Sequence, residues 1–152
     1  MVKQADWVKS KFNVSYTAKE LRDNLVLSAL SNGNYIVVKP YCVQLKNGDL
    51  ISIDSGYQTN GADIPRLFWR LYPPYSPLYM PAVVLHDFLC DNAIDEYANK
   101  DDLQDKFLYA DNAFREILER LDISKSKVKV FYNAVRLWHK GYKFRQPERG
   151  RK

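Results

Sequence analysis

Residues 79–90, YMPAVVLHDFLC, decide how the chain folds. Pro81 stands near the first turn of a helix, where its missing N–H costs nothing, and Ala82, Val83, Val84, Leu85, Phe88, Leu89 and Cys90 occupy every face of the turns that follow. A helix that is apolar all round is a buried helix, so the other elements must be wrapped about this one. His86 and Asp87 interrupt the apolar run at its middle. An unpartnered buried polar group costs roughly 1–3 kcal/mol and a bare charge more, so both side chains require partners from other parts of the chain.

Downstream the spacing predicts two further helices. Asp101 or Asp102 caps the first, which runs to about Leu121 with Leu103, Phe107, Ala110, Phe114, Ile117, Leu118 and Leu121 on one face. Asp111 falls inside that stripe, a second polar residue where an apolar one belongs. The last helix starts near Ser124, turns Val128, Phe131, Val135 and Trp138 inward, keeps Arg136 beside the stripe and ends at Gly141.

Upstream the signals are those of strands. Leu25–Leu27 precede the pair Asn32-Gly33, which favours the positive φ angles of a tight hairpin turn. Tyr35–Leu45 is rich in β-branched and aromatic residues, with Pro40 demoting part of it to an edge or a bulge. A second turn pair, Asn47-Gly48, leads to Leu50, Ile51 and Ile53, so the first half reads as an antiparallel meander of about three strands. Before it, Thr17 with Glu20 three residues later opens a short helix, and Trp7, Phe12, Val14 and Tyr16 supply apolar anchors. Between meander and buried helix, residues 66–72 (RLFWRLY) form a helical turn that Pro73-Pro74 ends. The expected fold is therefore α+β: an N-terminal antiparallel β-meander packed against three or four C-terminal α-helices.

The 152 residues suffice for one domain with a full-sized core, and no composition shift or Ser/Gly/Pro linker divides them. Residues 1–142 are expected to form that domain. The net charge of +5 lies in the C-terminal tail, where Lys140, Lys143, Arg145, Arg149, Arg151 and Lys152 face only Glu148. The basic stretch 143–152 reads as a flexible, solubilising terminus or as a weak nucleic-acid contact through phosphates. Cys42 and Cys90 form no metal-like spacing and point to a reducing compartment. The N-terminus MVKQADWVKSKFNV has charges where a secretory leader carries an apolar run, and no apolar run approaches the roughly 20 residues of a membrane span. A cytoplasmic protein without a membrane span is the expectation.

Three segments offer polar groups to a common interior: Asn60 and Asp63 from the loop between sheet and helices, His86 and Asp87 from the buried helix, and Asp111 from the next. One imidazole with two or three carboxylates can hold a divalent metal, which lowers the pKa of a bound water for hydrolysis. The same residues can instead form a buried hydrogen-bond network that pins the loop, with Arg66 or Arg136 neutralising Asp87 or Asp111. The HD phosphohydrolase pattern is excluded, since it needs a histidine upstream of His86 and the only other one is His139. Cys90, one turn from His86, is expected to be an inert core cysteine among apolar neighbours.

Four motifs in order carry a family likeness: GYQTNGADIPRLFW (56–69), AVVLHDFL (82–89), YADNAF (109–114) and YNAVRL (132–137). Together, over about residues 25–140, they resemble the DUF1353 family of small phage and prophage proteins. Asn60 stands where that family usually has Asp and Asp63 where it usually has Ser. The resemblance implies a phage or prophage origin and carries no activity with it. The functional expectation is an accessory protein with a small metal-assisted hydrolytic site, Asp63, His86, Asp87 and Asp111 acting as metal ligands or acid/base groups and Arg66 as anion holder. Its rival is a non-enzymatic protein that binds a phage or host partner, the cluster serving only as architecture.

Overall fold

The computed structural model describes residues 13–60 and 76–142. The anchors Trp7 and Phe12, the loop residues Gly61, Asp63 and Pro65, the helical turn expected over 66–72 with its Pro73-Pro74 stop, and the tail 143–152 lie outside the described residues. Within them the order is α1 (Ala18–Asp23), β1 (Leu27–Ala29), β2 (Tyr35–Val37), β3 (Tyr41–Gln44), β4 (Leu50–Ile53), β5 (Gln58–Thr59), α2 (Met80–Glu96), α3 (Lys100–Arg120) and α4 (Lys125–Lys140). Short antiparallel strands followed by long helices make an α+β fold, as the patterning requires.

Local chemistry sets most boundaries. Thr17 accepts from the Glu20 backbone N–H while the Glu20 carboxylate accepts from the Thr17 N–H at 2.9 Å, closing a capping box over α1. Gly33 and Gly48 both hold the left-handed φ that their hairpins need, +90° and +95°. They join β1 to β2, with Leu27 opposite Val37, and β3 to β4, with Tyr41 opposite Ile53.

Where a meander of about three strands is expected, the described residues hold five antiparallel strands in two sheets ordered β1-β2-β5 and β3-β4. Pro40, with no N–H to give, sits where the chain leaves the first sheet for the second. The far edge of β2 is taken by β5 instead of β3, Tyr35 pairing with Thr59.

The helices form the other half, α2 packing on α3 and α3 on α4. Every residue of α2 from Met80 to Asp87 is buried, with Cys90 and Ala93. The helix continues beyond Cys90 to Glu96, further than its apolar run alone marks. Asn99 caps α3, its side chain accepting from the Asp102 N–H, so Asp101 and Asp102 lie in the first turn, where negative charge is favourable. Leu103, Phe107, Ala110, Phe114, Ile117, Leu118 and Leu121 are buried as their stripe demands. Ser124 caps α4 and Gly141 closes it.

One inward residue of α4 is corrected. Val128, Phe131 and Val135 face the core, but Trp138 is 49% exposed and His139 is fully buried. After Val135 the helical stripe can continue at the third or the fourth residue, and here it takes the fourth. Among the described residues no helix is long and apolar enough to cross a membrane.

Candidate functional site

Where α2, α3 and α4 meet, each helix sends polar side chains into the same interior volume. From α2 come His86 and Cys90, one turn apart and therefore on one face. From α3 comes Asp111, and from α4 Arg136 and His139, again one turn apart. Asp111 is the hub. Its Oδ1 lies 2.7 Å from His86 Nε2 and 2.8 Å from His139 Nδ1, and its Oδ2 accepts from Arg136 Nη1 at 2.8 Å. Cys90 Sγ is 3.6 Å from His86 Nε2 and 3.7 Å from His139 Nε2. The rings are clamped from outside: His139 stacks on Phe107 with centroids 4.1 Å apart, and His86 lies against Phe114.

The electrostatics close locally. Burial alone pushes the Asp111 carboxyl up, but hydrogen bonds from His139 and His86, and then their charge, outweigh it and hold the group at about 2. An ionised carboxylate only accepts, so the ring nitrogens facing it carry protons: Nε2 of His86 and Nδ1 of His139. The Arg136 guanidinium, whose side chain is 14% exposed, supplies the countercharge. Nε2 of His139 faces the Cys90 sulfur. Nδ1 of His86 is buried without a hydrogen-bond partner among the described residues.

In chemical terms the order Cys90, His139, Asp111 is that of a thiol nucleophile, a base and an orienting carboxylate. Set against that use, His86, Cys90, Asp111 and His139 each have 0% exposure. A hydrolytic metal also needs an open coordination position. What the set can do is bind the helices to one another, or hold an ion that all four share, since one ligand atom from each of these residues lies within 4.8 Å of those of the others.

The residues expected at the site are distributed as follows. His86 and Asp111 are brought into direct contact. Asp87 leaves α2 about 100° round the helix from His86 and, 2% exposed, accepts from the Thr59 hydroxyl of β5. One turn on, Asp91 accepts from Tyr57 at 2.7 Å. The paired letters of the HD dipeptide thus serve two sides of one helix, His86 the helical layer and Asp87 the sheet. Asp63 and Arg66 lie outside the described residues. Of the two arginines expected to neutralise Asp87 or Asp111, Arg136 is bonded to Asp111.

Cys90 and His139 were not legible as members. Cys90 does have the expected apolar neighbours, packing with Ala93, Leu103, Phe107 and Ala110, but two imidazoles share its sulfur. The available signal was the His-x3-Cys spacing of α2. His139 was masked by the basic tail it borders and by Trp138 beside it, the more hydrophobic choice for the last stripe position.

The model of the family described as "Protein of unknown function (DUF1353)" matches residues 35–135. The chain belongs to the DUF1353 family. The matched span takes in β2 to most of α4 and contains His86, Cys90 and Asp111 of this DUF1353 chain, whereas Arg136 and His139 follow its end. No curated protein and no solved structure matches the chain.

Proposed function

We propose that this DUF1353 protein is a non-enzymatic accessory protein of a phage or prophage, acting in the cytoplasm of the bacterial host by binding another protein. Its polar centre is then architecture. The observation that carries this reading is the complete burial of His86, Cys90, Asp111 and His139 in a centre whose carboxylate is saturated by two imidazoles and a guanidinium. A hydrolytic site has to admit water and substrate, and this set is closed to both. Leu137 at 76% exposure, next to the half-exposed Trp138, gives α4 an apolar outer surface of the sort a partner covers. The family likeness supports the phage setting.

The reading is tested by incubating the protein, with and without added Mn2+ or Zn2+, with carboxylic ester, peptide, phosphomonoester and phosphodiester substrates, alongside Asp87→Asn and His139→Gln variants. The expected outcome is no turnover that distinguishes wild type from variants. Turnover lost in a variant that keeps the wild-type melting temperature would overturn the proposal.

A further inference from the structure

A thiol is set between the two imidazoles of the centre. A sulfur 3.6 Å and 3.7 Å from two ring nitrogens gains little as a weak hydrogen-bonding group, and a small apolar residue would fill the same volume. The set has another property. Thiolate, imidazole and carboxylate are the donors that Zn2+ takes, at about 2.3 Å for sulfur and 2.0–2.2 Å for nitrogen and oxygen. The sulfur–nitrogen edge of a tetrahedron with those bond lengths is about 3.6 Å, which is the spacing found on both sulfur–nitrogen edges at Cys90.

We propose that His86, Cys90, Asp111 and His139 form a closed, four-ligand Zn2+ site that locks α2, α3 and α4 together. The inference rests on the architectural reading of the centre, since four protein ligands and no exposure leave no position for a reacting water. Cys90 Sγ, His86 Nε2, Asp111 Oδ1 and a ring nitrogen of His139 are the donors. The last ring has both nitrogens on the cluster, Nε2 towards Cys90 and Nδ1 towards Asp111.

The proton and charge balance is consistent. Binding releases the Cys90 thiol proton and leaves the ring proton of His86 on Nδ1, an atom without a hydrogen-bond partner among the described residues. Thiolate and carboxylate then neutralise the 2+ ion. Arg136 keeps its bond to Asp111 Oδ2 from the outer edge of the centre, the position from which a supporting group orients a ligating carboxylate. Binding adjusts these spacings: His86 Nε2 and Asp111 Oδ1, 2.7 Å apart as a hydrogen-bonded pair, open to the edge of about 3.3 Å that a shared metal requires, and ligand atoms that lie up to 4.8 Å apart close towards it. Hard ions such as Mg2+ and Ca2+ prefer oxygen-rich shells, so the sulfur and two nitrogens select against them.

The test uses the full chain. Chelator-treated protein is titrated with Co2+, directly and again during refolding from denaturant so that slow entry cannot hide a site, and Zn2+ is then added. Expected are one Co2+ per chain with the visible bands of tetrahedral coordination and a near-ultraviolet sulfur-to-cobalt charge-transfer band, both erased by Zn2+. At about 100-fold excess over the dissociation constant, Zn2+ should raise the melting temperature by roughly 5–10 °C. Cys90→Ser removes the charge-transfer band and His139→Gln weakens binding at least about tenfold, with circular dichroism reporting that each variant is folded. Binding by neither route, or binding without a thiolate band, overturns the zinc site. If Cys90 of the metal-free protein remains protected from thiol reagents in that case, the architectural reading stands without zinc; if it reacts on mixing, that reading fails too.

Discussion

Asp111 is the residue on which the interior depends. Its carboxylate holds one side chain of α2 and two of α4, so Asp111→Asn keeps the shape but leaves Arg136 as a buried-edge cation without its anion. Removing one partner of a buried charge pair costs about 3–5 kcal/mol. Urea unfolding of the variant is expected to show that loss with an unchanged m-value. The acid limb is a separate signature. A carboxyl held at about 2 when folded, against 3.8 ordinarily, contributes stability that is complete above the ordinary value and disappears as pH falls towards 2. Asp111→Asn should flatten the corresponding part of the stability curve between pH 4 and 2, about 2 kcal/mol in size. At this scale the sequence was informative where a polar residue broke an apolar pattern, as at His86, Asp87 and Asp111. It was silent where a residue matched its surroundings, since a cysteine in a core or a histidine before a basic tail violates nothing.

Among the elements, turn chemistry was legible and strand pairing was not. Asn32-Gly33, Asn47-Gly48 and the Thr17-Glu20 box are local devices whose partners lie within a few residues. The pairing of β2 with β5 spans the whole second hairpin and leaves no mark in either strand. The last turn of α4 is a similar case: choosing Trp138 or His139 for the interior requires knowing that α3 presents a carboxylate there. Trp138→Ala should therefore cost less than about 1 kcal/mol, while Phe131→Ala, which empties a fully buried ring site between Tyr79 and Phe114, should cost about 3–5 kcal/mol. Thermal and chemical unfolding of the pair check the assignment. Equal losses would contradict the observed rotation of the helix.

For the molecule as a whole, two layers meet along α2, with Asp87 and Asp91 turned to the strands and His86 and Cys90 to the helices. The layered α+β arrangement was legible because hydrophobic periodicity changes from strand-like to helix-like along the chain; the closure of the polar centre was not, because burial is set by all three helices at once. Buried and half-buried phenols also join elements distant in sequence. Tyr41 of β3 donates to the Leu21 carbonyl at 2.6 Å, and burial raises its pKa; Tyr109 of α3 donates to Asp49, with burial again the main reason its phenol is raised. A raised phenol stays protonated in the fold when the unfolded chain has already lost its proton, so stability is intact below about pH 10 and falls above it, by about 1.4 kcal/mol per pH unit for Tyr41. Tyr41→Phe, measured by urea unfolding from pH 9 to 11, should show a shallower decline. The most direct measurement is the rate at which a thiol reagent modifies Cys90 in the native, metal-free protein, followed by mass spectrometry of the Cys90 peptide. A sealed centre predicts modification no faster than global unfolding, insensitive to reagent concentration once unfolding limits it. Labelling of Cys90 within the mixing time, in protein that remains folded, would contradict it.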